Sequence, residues 1–137
     1  MSVLRVLICD GYRDAADSAA MLLRLRGYEC VVAYSGKQAL DSERTFRPDA
    51  AVLAFDLEGD VSGAEVGRQF AERGIVPIAL SGYSDKAYRK RAESAGFKSY
   101  LLKPVNIDML DATLQSVIAL KCADTAIRMA RAPSSAW

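Results

Sequence analysis

Residues 3–27 of the chain read VLRVLICDGYRDAADSAAMLLRLRG, and this stretch decides the fold. Its first seven residues are apolar except for Arg5, a run too short for a helix and branched enough to predict a strand buried on both faces. A polar turn at 10–13 follows, and then a helical segment that ends at Gly27. The stretch therefore predicts one strand-turn-helix unit.

The same alternation continues along the rest of the chain. Strands are predicted at 3–9, 28–34, 50–55, 75–80 and 98–102. Helices are predicted at 14–26, 35–46, 63–73, 85–95 and 107–121. Five strand-then-helix units in series predict an α/β fold with a parallel sheet and helices on both faces, because right-handed crossovers allow little else.

Apolar spacing predicts which side of the first helix faces the sheet. One broad face of the segment 14–26 carries the apolar side chains, which we expect to point inward. They are Ala15, Ala19, Met21, Leu22, Leu23 and Leu25.

Composition limits both the size of the fold and the chemistry it can perform. The chain has 137 residues, which suits a single domain around one core. With 18 Lys plus Arg against 17 Asp plus Glu and a net charge of +1, it is not expected to bind DNA through a bulk positive field. It contains no histidine, which excludes Ser-His-Asp and Cys-His catalysis and histidine-ligated zinc.

Targeting signals and cysteines predict the compartment. No apolar run approaches the ~20 residues that cross a bilayer, and the opening sequence lacks a basic leader, so we expect a cytoplasmic protein without membrane contact. The odd number of cysteines, Cys9, Cys30 and Cys122, without CxxC spacing, predicts reduced and buried thiols. We expect a domain at 1–121 and a C-terminal helical extension or frayed tail at 122–137.

Polar side chains follow four of the predicted strands. Asp10 ends the first strand, and Asp56 follows the third. Ser81 follows the fourth strand, and Lys103 follows the fifth. Open parallel sheets bind ligands at the carboxyl ends of their strands. Two carboxylates, a hydroxyl and an ammonium at this edge suit a phosphoryl group beside a divalent cation.

These residues stand in motifs that resemble the receiver domain of bacterial two-component response regulators. Residues 4–18 resemble the family's apolar strand, acidic turn and first helix. The segment Ala-Leu-Ser-Gly-Tyr at 79–83 is similar to its fourth strand, and AGFKSYLLKPV at 95–105 is similar to its fifth strand and the loop after it. The resemblance covers about residues 3 to 120.

The resemblance implies a fold and a set of roles. It implies a flavodoxin-like, doubly wound (βα)5 sheet with strand order 2-1-3-4-5. Ser81 would be the switch hydroxyl and Tyr100 the switch aromatic. Lys103 would contact the phosphoryl group, and its bond to Pro104 would be cis. Asp10 and the phosphoacceptor would hold Mg²⁺.

The sequence departs from this family's pattern at the positions that would bind magnesium and accept the phosphoryl group. Gly11 stands where the family has a second acid that binds magnesium, which weakens the expectation of Mg²⁺. A gapless count from the Pro-Asp pair at 48–49 places Ala54 at the acceptor position. If the third strand is two residues longer than usual, Asp56 is instead the acceptor and a second metal ligand. Both alignments remain open from the sequence.

Two functions follow from the resemblance. In the first, a histidine kinase or histidine phosphotransfer protein phosphorylates Asp56, which draws Ser81 and Lys103 inward and lets Tyr100 rotate. The face of the fourth and fifth helices and the fifth strand then binds a downstream protein or a second copy of the chain. In the second, the chain is a degenerate receiver that binds its partners without phosphorylation. Neither function makes the chain an enzyme.

A third function belongs to another class. A flavodoxin-like nucleotide or flavin binder would share the same sheet topology, but the turn after the first strand has only Gly11 and no glycine-rich phosphate cradle. The sequence is compatible both with a free-standing receiver and with a fragment of a hybrid kinase.

Overall fold

The computed structural model of the chain describes residues 3–57, 59 and 61–130. A parallel sheet of five strands, in the order β2-β1-β3-β4-β5, forms its centre. The strands are Arg5–Cys9, Glu29–Ala33, Ala50–Ala54, Val76–Ser81 and Ser99–Leu102, numbered β1 to β5. The helices are Arg13–Leu25, Gly36–Phe46, Gly63–Glu72, Lys86–Ser94 and Ile107–Ala130, numbered α1 to α5. The predicted fold class and strand order are confirmed.

Each face of the sheet carries its own hydrophobic core because successive strand residues point to opposite sides. In β1, Val6 and Ile8 pack on the face covered by α1 and α5, while Leu7 and Cys9 pack on the opposite face with α2 and α3. The largest fully buried side chain of the described residues is Phe70 of α3. Burial on both faces explains why the central strands lack polar alternation.

The face of α1 that meets the sheet is narrower than the sequence predicts. Its buried residues are Ala16, Ala20 and Leu23, which follow one another at four- and three-residue intervals on one side of the helix. Leu22 is 40% exposed, and Met21 and Leu25 are exposed further. The prediction that these three side chains and Ala15 point inward is wrong. Small alanines at 16 and 20 bring α1 close to the sheet, and the side of the helix that carries the four residues stays exposed.

The last helix is continuous from Ile107 to Ala130 and crosses the boundary predicted at residue 121 without a break. The division into 1–121 and 122–137 stays a prediction, and residues 131–137 lie outside the described residues. Among the residues that the structure describes, no helix is long and apolar enough to cross a membrane.

Strand register brings the ends of β1, β3 and β4 to one edge of the sheet. Cys9, the last residue of β1, pairs with Leu53 of β3, so Asp10 follows β1 beside Ala54. Ala54 in turn pairs with Leu80 of β4. The three strands therefore end within two residues of the same level, and the residues that follow them lie together.

Candidate functional site

Three charged side chains meet at the carboxyl edge of the sheet. The Lys103 ammonium lies 3.0 Å from Oδ2 of Asp10 and 3.8 Å from Oδ1 of Asp56. The Lys103–Pro104 peptide bond is cis. The backbone N–H of Lys103 donates to the Ser81 carbonyl at 2.8 Å, which fixes the loop after β5 against the end of β4. The structure thus brings together the lysine and both carboxylates that the sequence singled out.

Asp10 is a buried carboxylate with both oxygens engaged. The residue is 5% exposed. Its Oδ2 faces Lys103, and its Oδ1 accepts a hydrogen bond of 3.0 Å from the backbone N–H of Tyr12. The second bond is a local turn in which an aspartate side chain binds the backbone two residues on. A buried charge needs such partners, because desolvation penalises it strongly.

Asp56 reaches the site from a turn and not from a strand. β3 ends at Ala54, and Phe55 and Asp56 form the turn that follows. Phe55 is anchored: its backbone N–H donates to the Leu80 carbonyl at 2.8 Å, and its ring packs edge-on against Phe97 at 5.6 Å between centroids. Because Phe55 points into the core, the neighbouring Asp56 is turned toward the strand ends.

The length of β3 bears on the two alignments of the acceptor. The strand stops at Ala54, and Asp56 lies two residues further along, in the turn. Ala54 is 2% exposed and stands at the strand end. The position that the gapless count assigns to the acceptor therefore carries a methyl group, with Asp56 beside it at the edge of the pocket.

A chain of hydrogen bonds links the two residues expected to switch. Ser81 is fully buried, and its Oγ accepts from the backbone N–H of Tyr83 at 3.1 Å. The Tyr100 hydroxyl donates to the Tyr83 carbonyl at 2.6 Å. The Tyr83 ring stacks on Tyr88 at 4.7 Å. Tyr83 thus connects Ser81 to Tyr100 and to the surface of α4.

Three residues of this neighbourhood were missed by reasoning from sequence. They are Tyr12, which lies next to Asp10 and Lys103, Phe55, which aims Asp56, and Tyr83, which bridges Ser81 and Tyr100. The only signal for them is their place one or two residues from a predicted site residue. Their roles depend on the directions of their side chains, which the spacing does not determine.

An apolar groove of about 500 Å³ opens beside Asp10 and Lys103. It runs between α1 and the loop that precedes α5, and Leu22, Ala15 and Val105 contribute to its walls. The exposed flank of α1 therefore borders the charged site.

The Cys9 thiol lies directly before Asp10 in the chain, and its buried surroundings make it unreactive. Burial, with a smaller contribution from the neighbouring Asp10 charge, raises its pKa from 9.0 to about 12. The half-buried Cys30 has its pKa raised to about 11, mainly by burial. Thiolate is the reactive form, so both thiols are poor nucleophiles at neutral pH. In the described part of the chain both are free cysteines.

We expect Cys9 of the folded protein to alkylate with iodoacetamide at least tenfold more slowly than in urea, at about pH 8 where unfolded thiols react. Peptide mass mapping measures this rate separately for each cysteine. The neutral thiol stabilises the fold below pH 9.0, and this contribution is lost as the pH rises toward the folded pKa of about 12. Equal labelling rates in both states would contradict the buried, protonated thiol.

This fold is that of a known class of signalling domain. The family model described as response regulator receiver domain matches residues 6–115, and the chain belongs to that family.

The relatives agree with this assignment. The chain is similar to the polar-differentiation response regulator DivK of Brucella anthropi, with 30% identity over 101 residues that cover 71% of this chain and 81% of that protein. Among solved structures, a CheY-like receiver domain protein from Methanospirillum hungatei JF-1 superposes with a TM-score of 0.83, at 24% identity, over 90% of this chain and 99% of that chain. A receiver domain of a modulated diguanylate cyclase from Desulfovibrio desulfuricans G20 gives 0.82, at 26% identity, over 90% and 99%.

Membership in the family has functional consequences. Receiver domains serve phosphorelay signalling, and membership implies a histidine kinase partner and a signalling role in place of enzymatic catalysis. The earlier expectation of a two-component signalling domain is confirmed at this level.

The family typically binds Mg²⁺, but the donor set of this chain does not fit that ion. Gly11 provides no side-chain oxygen where the family has an acid, and both oxygens of Asp10 are already engaged. Among the residues that the structure describes, no group of three or more His, Cys, Asp or Glu side chains could hold a metal ion. Mg²⁺ ordinarily needs a nearly complete octahedron of oxygen ligands.

Proposed function

We propose that this receiver contributes to a phosphorelay by binding proteins without itself accepting a phosphoryl group. The observation that carries the proposal is the end of β3 at Ala54, which has no nucleophilic side chain. In an aspartyl phosphorylation the attacking atom is a carboxylate oxygen. A methyl group at the strand end cannot supply it.

The charge arrangement of the pocket supports the same proposal. In an active site of this kind, the lysine ammonium neutralises charge that develops on phosphoryl oxygens. Here the Lys103 ammonium is already paired with Asp10 at 3.0 Å and faces Asp56 at 3.8 Å. The positive charge of Lys103 is therefore already balanced by the side chains of the pocket, and a phosphoryl group would have to compete with Asp10 for it.

The surface of α4 and β5 is the face that we assign to the downstream partner. The face includes the stacked rings of Tyr83 and Tyr88, and the Arg89 guanidinium lies 5.0 Å from the centroid of the Tyr100 ring. Exposed aromatic and arginine side chains are enriched at protein interfaces. A downstream protein, or a second copy of the chain, would bind this face together with α5.

A second candidate function is phosphorylation of Asp56 by a histidine kinase or histidine phosphotransfer protein. It is favoured by one observation: the Asp56 side chain is 37% exposed and lies beside Lys103. In this reaction a carboxylate oxygen of Asp56 would attack the phosphorus of phosphohistidine, the P–N bond would break, and the partner's imidazole nitrogen would keep the electron pair and take a proton. Ser81, Lys103 and Tyr100 would then respond as in an active receiver.

Intact-mass measurement after incubation with acetyl phosphate and MgCl₂ separates the two functions. We expect the wild-type mass to remain unchanged, because Ala54 cannot be phosphorylated and Asp56 lies outside the strand end. The Asp56→Ala variant is the matched control. A phosphoryl adduct on the wild type that is absent from Asp56→Ala would overturn the proposal in favour of the second candidate.

A further inference from the structure

We propose that the Lys103 ammonium is the resident cation of this pocket in place of Mg²⁺, and that Gly11 is the residue that keeps the divalent ion out. The inference deepens the proposed function, because a pocket with its own fixed cation has no need of a loaded metal. It depends on the contacts of Lys103 and its neighbours at the edge of the sheet and on the surroundings of Gly11.

The first step is the position of the ammonium. It lies within ion-pair distance of both carboxylates, at 3.0 Å from Asp10 and 3.8 Å from Asp56. It also lies 5.6 Å from the centroid of the Tyr12 ring, a distance at which cations and aromatic faces attract. The backbone N–H of Lys103 donates a hydrogen bond to the Ser81 carbonyl, and this bond fixes the backbone from which the side chain extends.

The second step is the shortage of free oxygen ligands. Oδ2 of Asp10 faces the ammonium, and Oδ1 accepts the N–H of Tyr12. A divalent ion would have to displace Lys103 from Asp10 or share its carboxylate. Mg²⁺ gives up its water reluctantly and is usually held through one or two carboxylates with further oxygens. Among the residues that the structure describes at this edge, Asp56 is the one partly exposed carboxylate that remains to attract it.

The third step is the charge count at the site. Of the described residues in contact there, Asp10 and Asp56 bring two negative charges, and Lys103 cancels one of them. An acid at position 11 would add both a ligand and a negative charge next to Asp10. The attraction of the pocket for a divalent ion therefore changes sharply with one residue, because close charges interact strongly in a partly desolvated site.

The fourth step is that the backbone already has room for this acid. A Cβ built on Gly11 would meet its nearest neighbour, the Tyr34 carbonyl oxygen, at 4.0 Å, which is ordinary van der Waals contact. The φ angle of Gly11 is outside the left-handed region that favours glycine. Glycine at this position is thus not required by the fold, and Gly11→Asp should fold without strain.

Titration with MgCl₂ at constant ionic strength tests the inference, with the melting temperature and isothermal calorimetry as readouts. The proteins are the wild type, Gly11→Asp, and Gly11→Asn as the matched control without a negative charge. We expect Gly11→Asp to bind Mg²⁺ at least tenfold more tightly than the wild type, and Gly11→Asn to behave as the wild type. A ligand that binds only the folded state raises the melting temperature.

The Lys103→Met variant tests directly whether the ammonium occupies the place of the ion. With the ammonium removed, we expect Mg²⁺ affinity to rise severalfold over the wild type. The inference would be overturned if the Mg²⁺ affinity of Gly11→Asp were within threefold of the wild-type affinity. It would also be overturned if neither Gly11→Asp nor Lys103→Met bound Mg²⁺ more tightly than the wild type. The titration does not measure phosphorylation, so an acetyl phosphate adduct on Asp56 would defeat the proposed function separately.

Discussion

Replacing Lys103 by methionine is expected to lower the free energy of unfolding by about 1–3 kcal/mol, although methionine preserves much of the apolar stem. The reason is that Asp10, whose side chain is 7% exposed, loses its ammonium partner while remaining buried. Removing one partner of a fully buried ion pair costs about 3–5 kcal/mol. We expect less here because Lys103 is 23% exposed, and water screens the remaining charge.

Urea denaturation of four proteins measures this effect. They are the wild type, Lys103→Met, Asp10→Asn and the double variant, which together form a double-mutant cycle. We expect a coupling energy of at least about 1 kcal/mol, because the two side chains are in contact. Additive effects of the two substitutions would mean that the ion pair contributes nothing to the folded state.

Gly63→Ala is expected to destabilise the protein by about 1–3 kcal/mol, the usual cost of overpacking a filled site. A Cβ at position 63 would lie 2.3 Å from the Ala54 carbonyl oxygen and 3.0 Å from Cα of Phe55. These atoms belong to the backbone at the end of β3. A backbone cannot move aside as easily as the flexible end of a side chain. Either the start of α3 or the turn before Asp56 must move.

Gly82→Ala is the matched control for this prediction. A Cβ built on Gly82 meets no atom within 4 Å, so we expect its stability to stay within about 0.5 kcal/mol of the wild type. Thermal or urea unfolding measures both variants. If Gly63→Ala were as stable as Gly82→Ala, the close approach of α3 to the end of β3 would not constrain the site.

The architecture was predictable because local signals repeat and agree. Short apolar runs alternate with amphipathic segments, and a parallel sheet is what such units can form. Helix ends were marked by glycine: Gly27 and Gly96 both adopt positive φ values, of 97° and 94°. A glycine reaches this left-handed region without the penalty that a Cβ imposes. The strand-end rule then selected Asp10, Lys103 and Asp56 correctly as neighbours.

What was not predictable depends on contacts between distant parts of the chain. The choice of Ala16 and Ala20 as the buried side of α1 follows from how closely the helix approaches the sheet. The orientation of Asp56 follows from the packing of Phe55 against Phe97, which is 42 residues away along the chain. The bridging role of Tyr83 follows from its bond to Tyr100. None of these contacts has a local sequence signal.

The end of β3 is the clearest example of a feature that the sequence pattern does not determine. Apolar residues continue from Ala50 to Phe55, and periodicity alone cannot distinguish a strand that ends at Ala54 from one that runs two residues further. The ladder decides it: Ala54 pairs with Leu80, and the chain turns immediately afterwards. The two alignments differ in which residue they assign to the acceptor position, Ala54 or Asp56, and the phosphorylation experiment distinguishes them.

Intact-mass analysis with acetyl phosphate and MgCl₂ tests the central claim most directly when the wild type is compared with the double variant Gly11→Asp/Ala54→Asp. This variant places an acid at position 11 and at position 54, the acceptor position in the gapless alignment that our proposal adopts. We predict that the wild type gains no phosphoryl group under conditions in which the double variant does. A phosphoryl group on the wild type, located on Asp56 by peptide mapping, would contradict the claim that the pocket of this receiver works without phosphorylation.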